Sequence, residues 1–400
     1  MTLTSGTHPQ LYKAGLKIAK VSPTLFEYGW KALTLPSEAY QQSKLMLGDR
    51  GKADKIKMVD IEMTIVCNLR CWFCWWWGTE GIAFKLVKDR DPLVTQELTT
   101  QEILNIVDQV TENNKPSFYL SGGEPFLRKD TVDIIEYMDK KGGSITLNNN
   151  GTLLTEEKLQ RLAKVKKLAI NFSIDGPREV HDKIRGQGNF ERTTNNIRRL
   201  IELRGDSAFP SIKTNTTFSP WIVGRVDELI RYLQEDVGVD ANRLNHLWFT
   251  DQKHAEQHKA MLRSVFGTNE TGVDAHVMGA HDPEYIQKLA EEIGKIEKTR
   301  YKKPVFVHPR MSRDEITKYY TDLRFTKRKM CTIAWDQIQI KANGDVMFCP
   351  DEWMMDFKLG NVRQNTVEEL WTGAKARQFR EALYKYKLFP ACARCCAINF

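Results

Sequence analysis

Three closely spaced cysteines constrain this chain more than any other feature. They lie in Cys67-Asn-Leu-Arg-Cys71-Trp-Phe-Cys74 and follow the run 58–66, whose alternating apolar and polar residues predict a β-strand. The thiols therefore fall on a loop at the carboxyl end of a strand, where α/β proteins usually place their chemistry. A structural zinc site needs four protein ligands, whereas three thiolates on a four-iron cluster leave one iron open. The pattern favours a cluster over zinc or three plain buried thiols.

Composition sets the broad class. Of 400 residues, 41% are hydrophobic and 28% are charged, which is ordinary for a globular protein. No run approaches the roughly 18 apolar residues of a membrane span, and the N-terminus lacks the pattern of a secretory signal. We therefore expect a cytoplasmic protein. The formal net charge is +8, but basic and acidic residues are interspersed along the chain. We therefore expect no nucleic-acid partner.

Residues 1–55 predict an N-terminal helical extension. Lysines alternate with apolar residues over 11–20, which indicates a short basic amphipathic helix. Packing on the main domain is the preferred interpretation, and peripheral contact with a membrane or a lipid substrate is the alternative.

From about residue 56 the sequence alternates between strand and helix patterns six times. A capping box, Thr99 to Glu102, starts one of the helices. Strands are expected at 117–121, 144–148, 168–174, 211–218 and 245–250 after the first. Such alternation predicts an α/β fold, either a parallel barrel or a doubly wound sheet. The segment 252–282 is expected to be irregular; His254 and His258 could form a metal pair there, although a substrate-facing loop is preferred.

The cysteine spacing, with the aromatic Phe73 just before Cys74, resembles the radical S-adenosylmethionine (SAM) superfamily. The resemblance implies a partial (β/α)6 TIM-like barrel and a [4Fe-4S] cluster held by the three cysteines, with SAM on the open iron. It also implies an electron donor such as flavodoxin or ferredoxin, and cleavage of SAM to a 5′-deoxyadenosyl radical. That radical would abstract hydrogen from a small-molecule, lipid or peptide substrate.

Further matches follow successive predicted strands. Ser121-Gly-Gly-Glu-Pro125 looks like the superfamily motif that holds the SAM amine, and Asn149-Asn-Gly-Thr152 is similar to its Thr-Asn-Gly turn. Ser173 and Arg185 match positions implied to hold the SAM ribose and carboxylate, although a simple turn with a surface ion pair is the alternative. The cofactor-binding residues implied by the resemblance are Phe73, Gly122, Gly123, Glu124, Asn150, Ser173 and Arg185.

The tail carries the remaining cysteines. An alternating pattern predicts a hairpin around Ala342–Asp345, between Cys331 and Cys349. The run from Cys331 to the end resembles the SPASM/twitch extension, which implies an auxiliary [4Fe-4S] cluster on Cys331, Cys349, Cys392 and Cys395. Cys396 is surplus, and zinc on four thiolates is the alternative.

These matches divide the chain into the extension (1–55), a core barrel (56–310) and an auxiliary-cluster domain (311–400). The function implied is hydrogen abstraction with net oxidation or bond formation, assisted by the auxiliary cluster. A peptide-modifying maturase is an alternative, as is a non-catalytic iron–sulfur electron-transfer protein. Trp72 and Trp75–Trp77 either shield the cluster or pack in the core.

Overall fold

A ten-stranded sheet organises the protein, in the order β10-β9-β8-β1-β2-β3-β4-β5-β6-β7. The structure is a computed structural model that describes residues 49–78, 81–88, 96–112, 114–268, 271–349 and 357–395. The expected N-terminal helix lies outside these residues, as does Cys396. The parallel strands are β1 Met58–Glu62, β2 Ser117–Ser121, β3 Ser144–Asn149, β4 Leu168–Ser173, β5 Ser211–Thr217, β6 Ala241–Asn245 and β7 Val305–His308.

Helices connect these strands and complete the tail. The helices up to β6 are α1 Ile82–Lys88, α2 Thr100–Thr111, α3 Thr131–Lys140, α4 Glu156–Leu162, α5 Arg178–Arg185, α6 Asn189–Arg204 and α7 Val226–Tyr232. The later helices are α8 Gln252–Phe266, α9 Pro283–Lys298, α10 Arg313–Thr321, α11 Val367–Thr372 and α12 Ala374–Tyr386. The capping box predicted at Thr99 is present: its hydroxyl accepts from the backbone of Glu102, whose carboxylate accepts from the backbone of Thr99.

The order of β1 to β7 explains the shape of the core. Each strand pairs with the next one in the chain, so every crossover advances in the same direction, and right-handed crossovers then place all the helices on one face. That face is buried and largely apolar, as Phe118, Leu147 and Ile170 show. The sheet is the partial barrel that the family resemblance predicted, with a seventh parallel strand.

The opposite face of these strands points into the barrel and is polar. Asn148 accepts hydrogen bonds from the side-chain amides of Asn171 (2.8 Å) and Asn215 (3.5 Å), which places three neighbouring strands on a common surface. We call this surface the lumen face, and it includes Asn148, Asn171, Lys213, Asn215, Arg243 and Asn245. In a closed TIM barrel, branched apolar side chains fill the interior. In this protein the interior side chains of the lumen face are polar, and most of them are only half-buried.

Two expectations are corrected. The sixth strand lies at Ala241–Asn245 and not at 245–250, where Leu247 and Phe249 instead form a buried irregular segment. The polar residues of β6 concealed it, because Arg243 and Asn245 belong to the polar lumen face. The segment 252–282 is not irregular throughout, since it contains α8.

The tail joins the barrel through its hairpin. Strands β8 Gln337–Ile340 and β9 Asp345–Met347 form the predicted hairpin, to which the short β10 Gly360–Asn361 is added. β8 also pairs in parallel with β1, so the hairpin extends the barrel sheet at its open edge. No helix within the described ranges has the length and apolar character needed to cross a membrane.

Candidate active site

The three-cysteine loop follows β1 and brings its thiols together. Burial raises the pKa of Cys67 to about 12 and that of Cys71 to about 11, and the nearby sulfurs add to this: Cys71 and Cys74 raise the pKa of Cys67, and Cys74 raises that of Cys71. A metal or cluster would have to displace the thiol protons and would replace this mutual repulsion with ligand bonds.

Nitrogen donors surround the same sulfurs. The backbone N–H of Leu69 donates to Cys67 Sγ at 3.4 Å, and that of Trp77 donates to Cys74 Sγ at 3.2 Å. The Arg185 guanidinium lies 3.6 Å from Cys71 Sγ. Such donors stabilise thiolates and raise the reduction potential of the clusters that they hold.

The two glycines after β2 are required by backbone contact. A Cβ at Gly123 would lie 2.0 Å from the carbonyl oxygen of Val66, and one at Gly122 would lie 2.3 Å from that of Thr64. The amide of Gly123 donates to the Thr64 carbonyl, and that of Glu124 donates to the Val66 carbonyl. The glycines therefore allow the turn after β2 to run against the segment that leads into Cys67.

Glu124 lies buried at the end of this turn. Its Oε1 accepts from the backbone N–H of Phe126 (3.0 Å) and its Oε2 from that of Asn150 (2.7 Å). Burial nevertheless raises the pKa of Glu124 to about 7. A carboxylate that burial disfavours is complementary to an ammonium group, because an adjacent cation restores its charged form.

Asn150 joins the predicted motifs to one another. Its Nδ2 donates to Asn68 Oδ1 at 2.8 Å and lies 3.9 Å from Cys67 Sγ, while its Oδ1 accepts from the backbone of Thr152. The amide of Asn68 donates to the Thr152 hydroxyl. The cysteine loop, the Gly-Gly-Glu turn and the Asn-Gly-Thr turn thus form a single hydrogen-bonded unit. Sequence reasoning missed Asn68, which had no signal beyond its place between two cysteines.

Arg185 is anchored by a buried carboxylate. Its Nε lies 2.5 Å from Asp175 Oδ2, and Oδ1 of the same aspartate accepts from the backbone of Thr217. The alternative of a surface ion pair does not hold, since the side chain of Asp175 is only 1% exposed. The ring centroid of Phe73 lies 6.0 Å from Arg185 Cζ. Ser173, at the end of β4, is half-buried. Asp175, predicted as part of a turn, positions the arginine.

The tryptophans of this loop differ in burial. Trp76 and Trp77 are buried in a small apolar cluster with Ala342 of the hairpin turn. Trp72 is 56% exposed and contacts Trp221, with ring centroids 4.5 Å apart. Cys67 and Cys74 also pack against this cluster, so the burial of Trp76 and Trp77 is compatible with both core packing and shielding.

The predicted histidine pair does share a helix. His254 Nδ1 lies 2.7 Å from Oδ1 of Asp251, the N-cap of α8. His258 is fully buried, and its ring centroid lies 6.3 Å from that of Phe389.

Three of the predicted tail ligands interact with one another. The charges of Cys331, Cys392 and Cys395 act on one another, and burial raises the pKa of Cys331 to about 12 and that of Cys392 well above its usual value. Cys349, two residues after the end of β9, is also buried.

The donor sets suit clusters in both places. Within the described ranges, no three His, Cys, Asp or Glu side chains converge on the position of a single ion. A four-iron cluster makes no such demand, since each thiolate binds a different iron. Buried thiols that interact without converging are therefore compatible with clusters at both positions.

Comparison with known proteins agrees with this geometry. Residues 61–233 match the radical SAM superfamily model, and residues 331–396 match the model of an iron–sulfur cluster-binding domain, SPASM. These domains imply a [4Fe-4S] cluster, an auxiliary cluster and SAM as cofactors.

Among curated relatives, the AdoMet-dependent heme synthase of Methanosarcina barkeri is 36% identical over 165 residues, which cover 41% of this chain and 43% of that protein. The mycofactocin maturase MftC of Mycolicibacterium smegmatis is 28% identical over 168 residues, 42% of this chain and 39% of the relative. The chain thus matches well under half the length of either relative.

Among solved structures, Streptococcus suis SuiB bound to S-adenosylmethionine has the same fold. Its TM-score is 0.58 at 16% identity, and the match covers 88% of this chain and 76% of SuiB. The two domain matches lead to one assignment: residues 61–233 form a radical SAM domain, and residues 331–396 form a C-terminal SPASM domain.

Proposed function

We propose that the protein is an enzyme that reductively cleaves SAM and abstracts a hydrogen atom from its substrate. The observation that carries this proposal is the hydrogen-bonded unit around Asn150, which joins the cysteine loop to the buried carboxylate of Glu124. A site of this kind holds a cluster and an aminoacyl group side by side. A cysteine loop that served only electron transfer would have no use for Glu124.

The cofactors supply the radical chemistry. When the cluster and SAM are bound, one electron from a reduced donor protein would cleave SAM to methionine and a 5′-deoxyadenosyl radical. Abstraction of a hydrogen atom from the substrate would then give 5′-deoxyadenosine and a substrate radical. For a two-electron oxidation, the substrate radical must still give up one electron and one proton. We propose flavodoxin or ferredoxin as donor and the cytoplasm as location.

The residues of this chain bind and orient. Cys67, Cys71 and Cys74 would hold the cluster, and Glu124 would receive the SAM ammonium. Arg185, fixed by Asp175, offers its guanidinium beside Cys71, where it can pair with the SAM carboxylate. Ser173, at the end of β4, would contact the ribose. In the tail, Cys331, Cys349, Cys392 and Cys395 would hold the auxiliary cluster.

The test is anaerobic. Protein reconstituted with iron and sulfide, reduced and given SAM should release 5′-deoxyadenosine and methionine in equal amounts. The triple variant Cys67→Ala/Cys71→Ala/Cys74→Ala should release neither and should lack one cluster. Reconstituted protein that binds SAM without cleaving it would instead support the electron-transfer alternative.

A second candidate substrate class comes from one comparison. Streptococcus suis SuiB, which shares the fold at a TM-score of 0.58, has been solved bound to its precursor peptide SuiA, and this comparison supports a peptide as a candidate substrate. Turnover with candidate peptides, scored by faster deoxyadenosine release and by a mass change in the peptide, distinguishes a peptide from a lipid or another small molecule.

A further inference from the structure

An exposed tryptophan lies directly beside a predicted cluster ligand. Trp72 follows Cys71, and at 56% exposure it is the most exposed large apolar side chain in the described ranges. Its ring centroid lies 4.5 Å from that of Trp221, in the loop after β5. Lys183 Nζ in turn lies 4.1 Å from the ring centroid of Trp221. The backbone N–H of Trp72 donates to the carbonyl of Ile184 in α5 at 3.1 Å, so the cysteine loop is fixed against this helix.

Two exposed cations flank this tryptophan pair. Lys183 covers Trp221, and Arg70 precedes Trp72 by two residues. Within the part of the chain that the structure describes, neither cation forms an ion pair, and the Arg70 guanidinium donates instead to the carbonyl of Trp77 at 3.0 Å. We call Arg70, Trp72, Lys183 and Trp221 the tryptophan patch.

The acidic residues of the adjoining segments do not neutralise the patch. The segment 67–78 contains no Asp or Glu. Of the two acidic residues in α5, Glu179 pairs with Arg225, and Asp182 is buried, where it accepts from two backbone amides. The patch therefore presents positive charge around exposed apolar rings. Exposed apolar patches with polar surroundings mark interaction sites, and this charge is complementary to an acidic protein surface.

The patch lies on the outer side of the cysteine loop. Arg70 and Trp72 are exposed, whereas Leu69 and Cys71 are buried, so alternate residues of this stretch face opposite sides. On the inner side, Cys71 Sγ lies 3.6 Å from Nη1 of Arg185, the residue proposed to pair with the SAM carboxylate. A donor protein is too large to enter the barrel, so its electron must arrive from the outer side. There Trp72 is one residue away from a cluster ligand.

We infer that the tryptophan patch is the docking surface for an acidic electron-transfer protein, which passes its electron to the cluster of the cysteine loop. The transfer oxidises the carrier of the donor by one electron and reduces the cluster by one, and no bond is made or broken. Trp and Arg are among the side chains that most often anchor interfaces, and the two cations would accelerate encounter with an acidic partner. This inference rests on the proposed function, because that function requires an electron donor.

The probe is purified bacterial flavodoxin, isotopically labelled and titrated with anaerobically reconstituted full-length protein while its NMR spectrum is recorded. The wild-type protein should bind the probe, and the dissociation constant should rise as salt screens the charges. In Arg70→Glu and in Lys183→Glu, the dissociation constant at low ionic strength should rise by about tenfold or more. Trp72→Ala should raise it by a similar factor, because the apolar anchor is lost.

Lys164→Glu is the matched control. Lys164 is exposed between α4 and β4, at the end of the strands opposite to the cysteine loop, so the same charge change should leave flavodoxin binding unaltered. Deoxyadenosine release gives a second comparison. When reduced flavodoxin limits the reaction, release should fall in the three patch variants, whereas release driven by dithionite, which needs no docking, should be unchanged. Iron content and circular dichroism verify the fold, and if Trp72→Ala does not fold, the two exposed cations decide.

Three outcomes would overturn the inference. The first is a wild-type protein that does not bind flavodoxin at low ionic strength, or patch variants that bind it equally well. The second is an equal loss of deoxyadenosine release with both reductants, which would assign the patch to the integrity of the active site. The third is a wild-type dimer that Trp72→Ala dissociates in analytical ultracentrifugation, which would make a second copy of the chain the occupant. Flavodoxin binding is measured without turnover, so a wild-type protein that binds flavodoxin but cleaves no SAM with dithionite contradicts the proposed function alone.

Discussion

At the scale of single residues, the site depends on buried polar groups that hold one another in place. Asn150 uses its backbone N–H and both ends of its side-chain amide: the N–H joins it to Glu124, Nδ2 joins it to Asn68, and Oδ1 closes its own turn at Thr152. Removing one partner of a buried polar group costs about 1–3 kcal/mol, because the other is left unsatisfied. The geometry of the site is therefore set before any cofactor binds.

Glu124→Gln should weaken SAM binding without loss of iron. The substitution preserves the shape of the side chain but removes a charge-assisted hydrogen bond to the ammonium, worth about 1.5–3 kcal/mol. The dissociation constant for SAM, measured by equilibrium dialysis on reconstituted protein, should rise by about one to two decades. Glu157→Gln, the same change on exposed α4, should have no effect. Unaltered SAM binding by Glu124→Gln would remove Glu124 from the site.

At the scale of elements, the strand ends are held together by close backbone contacts. The turn after β2 crosses the segment that leads into Cys67, and at Gly123 this crossing leaves no space for a side chain. The crossing connects the position of the cysteine loop to that of Glu124.

Gly123→Ala should therefore destabilise the protein and displace the cysteine loop. Because the added methyl group meets backbone that cannot rotate away, we expect a loss of about 1–3 kcal/mol in the free energy of unfolding. Urea denaturation and iron content after reconstitution measure the two effects. Gly294→Ala, in α9, where the new Cβ would meet no atom within 4 Å beyond the adjacent backbone of its own helix, should instead be neutral or stabilise by up to about 1 kcal/mol. Equal stability of the two variants would contradict the close contact.

Much of this arrangement could be predicted from local sequence patterns, and the rest could not. Strands β2 to β4 have an apolar face against the helices, so their periodicity revealed them. In β6, Arg243 and Asn245 face the lumen, and the strand then resembles a loop. The parallel pairing of β8 with β1 joins residues about 280 positions apart, as the contact of Lys341 with Glu62 shows, and no local pattern encodes such a partner.

At the scale of the whole molecule, the tail is attached to the barrel by contacts that do not involve its cysteines. Glu62 of β1 accepts from the backbone of Ala342 at 3.0 Å and pairs with Lys341 at 2.8 Å. Trp371 Nε1 donates to the Asp54 carbonyl. Arg394, between two of the tail cysteines, is buried; its guanidinium lies 5.3 Å from the ring centroid of Phe249 in the barrel, and it donates to the carbonyls of Phe325 and Asp322 within the tail.

Two separate cysteine groups predict two clusters. The reconstituted protein should bind about eight irons, four on each group. Replacing the three loop cysteines should remove about half of them, and replacing tail cysteines the other half. Zinc in the tail, or four irons in the intact protein, would contradict the two-cluster assignment. Metal analysis with Mössbauer spectroscopy distinguishes these outcomes.

The attachment of the tail permits a test of what its cluster does. Since the hairpin and Arg394 connect the tail to the barrel independently, Cys395→Ala should remain folded even though its auxiliary cluster is incomplete. If that cluster serves as electron acceptor for the substrate radical, the variant should still release deoxyadenosine in the presence of substrate but should stop forming the oxidised product. Cys74→Ala is the matched control and should abolish deoxyadenosine release as well. Full product from Cys395→Ala would make the cluster a structural element.

Should Cys395→Ala fail to fold, a second experiment answers the same question. A charge near the intact cluster would be changed to shift its reduction potential, and product yield would be measured against that potential.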